Sequence, residues 1–495
     1  MTPARSLSTV LLALAIATAP GPASAGSNLT LRPYTFVSAK RDSVAAEWGT
    51  LQVPENRSGP RSRTIELAFV RFPSTAKHPA PPIVYLAGGP GNSGIAAARG
   101  SRFPLFMALR SVADIIALDQ RGIGASVPAL DCEERSDYPM DRPGDRGLWL
   151  DLVLGKCRSC AQSWRVRGVD LDGYTVSESA DDLDALRAAL GAESITLWGI
   201  SYGTTLGLDF MRRHPTRAHR AILAGIEGLD DMVKRPGQVD SMLHVISTLA
   251  SRDSAVGRDV PDMERVMREQ LRVLEGRPMS VRIDNVATKD TTDSVTVVLG
   301  PYDYRWALYQ LLGTKDYEWV PGFVWSLADG DPRTERWWAG IVARERRSGI
   351  GTAVTYCTDC ASGASPARRA RVSAEAPGAV IQDVANILYP DVCDAWGVRD
   401  LGEAFRRPLV DCRVPTLFIS GTLDVRTPPA QAEAVRAGFR TSTHLQIDGA
   451  THSDPLFLSS PRILDLMLEF LRTGRVATRR LQIPIGFRPV RAFND

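Results

Sequence analysis

A series of short apolar runs, each stopping at a glycine, aspartate or serine, sets the strongest limit on how this chain can fold. Ile83-Val84-Tyr85-Leu86-Ala87 ends in Gly88-Gly89-Pro90-Gly91, and Ile115-Ile116-Ala117-Leu118 ends in Asp119-Gln120-Arg121-Gly122. Ile195-Thr196-Leu197-Trp198 ends in Gly199-Ile200-Ser201-Tyr202-Gly203, and Ala221-Ile222-Leu223-Ala224 ends in Gly225-Ile226-Glu227. Uninterrupted runs this short read as parallel strands buried on both faces. Helical segments separate them. Residues 179–190 place apolar side chains at 183, 186 and 190 and stop at Gly191, and 204–213 follow Ser201 as another helix. The alternation predicts an α/β fold with a mostly parallel central sheet. Ligands of such sheets sit outside the carboxyl ends of the strands, where each run places its glycine, aspartate or serine.

Residues 47–53 and 65–72 alternate like strands ahead of this pattern. From 232 to 400 the pattern changes. Aromatics cluster there, among them Tyr302, Tyr304, Trp306, Tyr309, Phe323, Trp325, Trp337 and Trp338, and strand runs become few. A Pro/Ala/Arg-rich stretch, 361–378, reads as a loop. The strand pattern then resumes. Thr416–Ser420 leads to Gly421-Thr422-Leu423-Asp424, and Thr443–Ile447 leads to Asp448-Gly449-Ala450-Thr451-His452, with helices over 429–438 and 461–472. Residues 26–231 and 401–495 therefore read as two parts of one core. Residues 232–400 read as an inserted, mainly helical cap over the catalytic edge.

With 495 residues, 44% of them hydrophobic and 23% charged, the chain is no disordered or coiled-coil protein. Its 59 basic and 56 acidic residues contain no basic block, so no nucleic-acid partner is expected. Residues 1–25 read as a secretory signal: Arg5, an apolar run from Val10 to Ala19, then Ala23-Ser24-Ala25 as a cleavage site. The run is shorter than the roughly 20 residues a membrane span needs. The mature protein is expected to be exported, periplasmic or secreted, with no membrane association once the signal is removed. In that setting the seven cysteines are disulfide candidates. One bridge is expected inside 132–160 and one from the Cys357/Cys360 pair to Cys393. A zinc site is disfavoured, because the two Cys-x-x-Cys pairs lie about 200 residues apart instead of about 15–20. No metal or cofactor is expected, and oligomeric state is not legible.

Gly199-Ile200-Ser201-Tyr202-Gly203 fits a nucleophile elbow, G-x-S-x-G, between a strand and a helix. Ser201 is the expected nucleophile. A base should follow on a late loop, oriented by an acid. Of the six histidines, His452 follows the last strand run within a small-residue loop. His214 reads as a helix C-cap, His244 lies in the insertion and His444 is mid-strand. Asp424 is the best orienting acid. Asp448 and Asp411 are rivals, the first too near His452 and the second at the start of its strand. The oxyanion hole is expected from the Tyr202 backbone N–H and the Gly88-Gly89 loop. Asp119 and Arg121 are read as a buried ion pair bracing that loop. Glu227, at the catalytic edge with Asp230 and Asp231 close behind, is a weaker candidate for holding a substrate amine. Solvated loop carboxylates are the competing reading.

Three segments in order carry a family resemblance. They are Gly88-Gly89-Pro90-Gly91-Asn92-Ser93-Gly94, Asp119-Gln120-Arg121-Gly122-Ile123-Gly124-Ala125-Ser126 and Gly199-Ile200-Ser201-Tyr202-Gly203-Thr204. They resemble the proline iminopeptidase and tripeptidyl aminopeptidase group of α/β-hydrolases. Gly421-Thr422-Leu423-Asp424-Val425-Arg426-Thr427-Pro428 and Cys393-Asp394-Ala395-Trp396 are similar to its tripeptidyl branch. Ala87 departs from the iminopeptidase branch, where a histidine usually precedes the glycines. The resemblance implies an α/β-hydrolase fold and a Ser201–His452–Asp424 triad. It also implies an oxyanion hole of Gly88, Gly89 and Tyr202, and aminopeptidase activity on a peptide substrate. A carboxylesterase or small-molecule amidase would use the same triad, and a binding protein on a retained hydrolase fold would need none of it.

Overall fold

The computed structural model describes residues 28–59, 62–284, 293–386 and 388–490. The expected signal, 1–25, lies outside the described residues. The strands are β1 (Leu29–Val37), β2 (Ser43–Pro54), β3 (Thr64–Phe72), β4 (Ala80–Leu86), β5 (Ala113–Asp119) and β6 (Ile195–Ser201). They continue as β7 (Ala218–Ile226), β8 (Met279–Asp284), β9 (Ser294–Leu299), β10 (Thr416–Gly421), β11 (Ser442–Asp448) and β12 (Arg480–Gln482). Ten of them form one sheet in the order β1-β2-β3-β5-β4-β6-β7-β10-β11-β12. Pairings among β1, β2, β3 and β5 are antiparallel. Those from β5 through β4, β6, β7, β10, β11 and β12 are parallel.

The apolar runs work as strands because alternate residues serve opposite faces. In β4, Ile83 and Tyr85 join a core containing Phe106, Trp198 and Phe457. Val84 and Leu86 join the other, with Leu197, Leu206, Phe210 and Leu223. Every β10 residue is buried. Burying one such aliphatic side chain contributes about 1.5–3 kcal/mol, so a polar substitution in these runs weakens the core on the face it occupies.

The order also brings distant segments to one edge. β4, β6, β7, β10 and β11 are consecutive neighbours. The residues that follow Leu86, Ile200, Ile226, Gly421 and Asp448 therefore share the carboxyl edge, although 362 positions separate the first from the last.

Between β7 and β10 the chain is mainly helical, with an antiparallel β8–β9 pair as its own small sheet. Its core holds Tyr304, Leu308, Phe323 and Trp338, together with Leu423 and Val425 beside β10. The aromatic cluster is thus largely packing. Trp325 and Trp337 are each 37% exposed, and the Trp337 ring lies 5.7 Å from that of the core residue Phe323.

Several expectations need correction. The 361–378 stretch is not a loop: Pro366–Glu375 is a helix, with the Ser365 side chain accepting from Arg368 N and proline in the first turn. Alanine and arginine are good helix formers, and the two prolines stand at helix starts, where they are tolerated. The edge strands β1 and β12 and the helix Arg146–Val166 carry weak patterning and were not legible in the sequence. That helix packs on the segment around Cys357 and Trp396, away from the two sheet cores. Disulfides join Cys132 to Cys160 and Cys360 to Cys393, leaving Cys157, Cys357 and Cys412 free. No described helix is long and apolar enough to cross a membrane.

Candidate active site

Ser201 ends β6 and caps the helix Tyr202–Arg213 with φ 54° and ψ −128°. A side chain in this left-handed region is strained, and the crowding around it explains why the chain accepts that strain. A Cβ on Gly203 would stand 2.1 Å from Leu86 O, and one on Gly199 would stand 2.7 Å from Gly203 O. Both glycines let strand and helix approach closely enough to force the sharp turn. Gly88 lies beside it, where an added Cβ would stand 3.1 Å from Ser201 Cβ. Gly89 has φ 117°, open only to glycine.

Asp424 follows β10 and is fully buried. Its Oδ2 lies 2.8 Å from His452 Nδ1. Its Oδ1 accepts from Arg426 N at 2.8 Å and Thr427 N at 2.9 Å, and Thr427 Oγ1 donates to Oδ2 at 2.7 Å. Burial pushes the Asp424 carboxyl up. The charge and hydrogen bond of His452, with the Thr427 donors, outweigh burial and hold it below the usual carboxylate range. The rival acids are engaged elsewhere: Asp448 with Arg480 at 2.5 Å, and Asp411 with Arg440. So are several rival histidines. His214 caps its helix and meets Asp181, His244 meets Glu264, and His444 meets Glu433.

Ser201, His452, Gly88, Gly89 and Glu227 line one cavity of about 650 Å³. Tyr202 is buried directly behind Ser201. From the mainly helical stretch between β7 and β10, Tyr309, Asp359 and Tyr389 reach the same wall. Glu227 is paired: Lys234 Nζ stands 2.9 Å from its Oε2. Asn386 clamps Lys234, accepting from its backbone N and donating to its backbone O, each at 2.6 Å. Burial pushes Asp359 well above its usual range, and the neighbouring Glu227 charge adds to this, against Tyr389 and Lys234. Asp230 and Asp231 turn away to Ser365 and Arg368.

Asp119 and Arg121 do not pair with each other. Asp119 accepts from Ser93 Oγ at 2.5 Å, Ile95 N at 3.0 Å and Ala125 N at 2.9 Å, so it braces the glycine loop by itself. Arg121 turns the other way and forms a bidentate pair with Asp182 at 2.7 and 2.6 Å. Two residues only two positions apart, at the end of β5 and just beyond it, point in opposite directions, which sequence proximity conceals. Thr427, Lys234 and Asp359 were missed. Only Thr427 had a signal, its place three residues after Asp424 in the late segment.

A profile of the alpha/beta hydrolase fold matches residues 81–457, and the chain belongs to that family. It has the mostly parallel central sheet of that fold. The chain is 32% identical to the serine protease Hip1 of Mycobacterium tuberculosis over 183 residues, which is 36% of this chain and 35% of that protein. It thus aligns with about a third of that relative's length. It is 24% identical to the tripeptidyl aminopeptidase of Streptomyces lividans over 481 residues, covering 88% of this chain and 85% of that one. A probable proline iminopeptidase of Streptomyces coelicolor matches at 28% over 145 residues, 29% of this chain and 32% of that one. All three relatives carry peptidase names, and the chain is similar to each over the stretch given.

Proposed function

We propose that this chain is an exported serine aminopeptidase that releases single residues or short peptides from free N-termini. The observation that carries the reading is the 2.8 Å contact of Asp424 with His452 on a cavity shared with the Ser201 elbow. Asp424 holds the imidazole with Nδ1 protonated, leaving Nε2 to take the proton from Ser201 Oγ. Ser201 Oγ attacks the substrate carbonyl, and the N–H groups of Tyr202 and the Gly88-Gly89 loop receive the oxyanion. His452 then protonates the leaving amine, and water clears the acyl-enzyme. Residues 232–400 act as the cap that shapes the acyl pocket. Glu227 supplies the carboxylate that attracts a substrate ammonium. The names of the peptidase relatives favour a peptide substrate. Export is supported by the leader pattern at 1–25 and by two disulfides, which persist in oxidising compartments.

One observation favours a carboxylesterase or amidase instead. Lys234 already neutralises Glu227, so the pocket does not require a substrate cation. A panel of Pro-, Ala- and Ala-Ala-Pro-type fluorogenic amides, their N-acetylated forms and a short-chain nitrophenyl ester separates the two. Cleavage of free-amine amides with loss on acetylation is the expected result, abolished in Ser201→Ala. Turnover of the ester alone would move the reading to esterase. N-terminal sequencing of protein recovered from periplasm or medium tests export, with a start after Ala25 expected.

A further inference from the structure

We propose that Arg102 is a positioning residue that locks the loop carrying His452 to the strand that delivers the glycine-rich loop. The proposal rests on reading His452 as the base. Arg102 stands just before the helix Phe103–Leu109, far in sequence from the residues it holds, and is only 8% exposed. Its guanidinium spends every edge on two elements. Nε lies 2.9 Å from Asp454 Oδ1, Nη2 lies 2.9 Å from Ser453 Oγ, and Nη1 donates to the Tyr85 hydroxyl. The cation also lies 5.3 Å from the Phe457 ring centre and 5.9 Å from that of Tyr85. Ser101 Oγ takes the second Asp454 oxygen at 2.5 Å.

Tyr85 is in β4, three positions before Gly88, and Ser453 and Asp454 directly follow His452. One planar cation therefore joins the approach to the glycine loop with the exit from the histidine. The exit needs such support. Ser453 has φ 72°, a left-handed conformation that a serine adopts only when its surroundings enforce it. Two bonds of the fork end on Ser453 and Asp454. Arg102, Ser453 and Asp454 also form part of the cavity wall, so the lock is next to the reacting groups. A buried cation is an expensive way to hold a fold together, and well-packed apolar side chains commonly replace one without loss. What they cannot replace is the fixed direction of several donors in one plane, which an ammonium also lacks. That direction matters where a nitrogen must meet a serine oxygen, since a displacement of about 1 Å costs about 100-fold in rate.

The test measures kcat and KM for Arg102→Gln, Arg102→Lys, Asp454→Asn and Ser453→Ala on the best substrate of the panel above, with His452→Ala and Ser201→Ala as controls. Arg102→Gln is expected to lower kcat by about 10- to 100-fold with KM changed by less than about twofold. Arg102→Lys should recover only part of the loss. Asp454→Asn should fall in the same direction, and the Arg102→Gln/Asp454→Asn double variant should be no worse than Arg102→Gln, because both break one lock. Unchanged kcat in Arg102→Gln, or a loss confined to KM, overturns the proposal. Should Arg102→Gln fail to fold, Asp454→Asn and Ser453→Ala on the partly exposed turn decide it by the same criterion. Full turnover in His452→Ala would overturn the triad reading and this proposal together. Loss there, with the Arg102 and Asp454 variants unaffected, would overturn this proposal alone.

Discussion

Thr427 Oγ1 stands 2.7 Å from Asp424 Oδ2 and 3.1 Å from His452 Nδ1, so one hydroxyl touches both partners of the acid–imidazole pair. With the two backbone N–H groups on Oδ1, the buried carboxylate has all its directions filled by donors. It can rotate little, and the imidazole it holds is correspondingly fixed.

Graded losses follow from this arrangement. Asp424→Asn presents an amide to His452 and should lower kcat by about 10⁴-fold through the wrong tautomer. Thr427→Val keeps the shape and loses one donor, and should cost about 10-fold, roughly one hydrogen bond to a charged group. Steady-state kinetics on the best substrate checks the order. Equal losses in both variants would mean that Thr427 holds the loop together instead of tuning the pair. The depressed Asp424 carboxyl also contributes stability above its unfolded value of about 3.9, which is lost as pH falls through the lower folded value. Asp424→Asn should therefore flatten the acid limb of a Tm-versus-pH curve.

The elbow glycines make a contrast with a glycine elsewhere. A methyl on Gly203 would meet Leu86 O at 2.1 Å, and backbone cannot step aside. Gly203→Ala should yield little soluble protein or a sharply lower Tm. Gly155 lies exposed inside the helix Arg146–Val166 with nothing within 4 Å of an added Cβ. Gly155→Ala should stabilise by about 0.5–1 kcal/mol, from helix propensity alone. Thermal melts of both, against wild type, suffice. A stable Gly203→Ala protein would contradict the packing at the elbow.

How much of this was legible depended on where the restricting physics acts. Strands buried on both faces must be mostly apolar, so β4, β5, β6, β7 and β10 announced themselves; with β11, legible from Leu445 and Ile447, their order along the chain pointed to Ser201, Asp424 and His452. The edge strand β1 alternates exposed and partly buried residues and has no such requirement. The Lys234–Glu227 pair was illegible for another reason. It depends on a loop turning back across the cavity and being clamped by Asn386, a contact 152 positions away. Arg121 reads close to Asp119 in sequence yet finds Asp182 in space, because the two side chains diverge.

The disulfides close loops with sequence separations of 28 and 33 residues: one ties the segment around Cys132 to the helix Arg146–Val166, and the other ties the helix Ala353–Ser362 to Cys393–Trp396. Opening either by a Cys160→Ser or Cys393→Ser substitution should cost about 2–4 kcal/mol, most of it through a freer unfolded chain. Cys157 is different. Burial pushes its thiol up to about 12, against Trp396 and Tyr356, so it stays protonated and inert. Native protein should resist thiol reagents at Cys157 while denatured protein reacts. Denaturant melts of the serine variants, with and without reductant, check the first claim. Thiol counting under both conditions checks the second.

Asp359 gives the sharpest pH test. Burial and the nearby Glu227 charge raise its carboxyl well above the ordinary value, so the folded protein keeps this proton over a range where the unfolded chain has released it. Where the native state binds more protons than the unfolded state, stability falls as pH rises. The penalty is absent below about pH 3.9, the unfolded value, and grows as pH climbs towards the raised folded value. Asp359→Asn is isosteric with the protonated acid and has no proton to release. Its Tm should match wild type near pH 4 and exceed it by a margin that widens as pH rises. Scanning calorimetry of both proteins across that range measures the margin. A constant difference at every pH would mean that Asp359 is charged in the folded protein and that Lys234 serves it as well as Glu227.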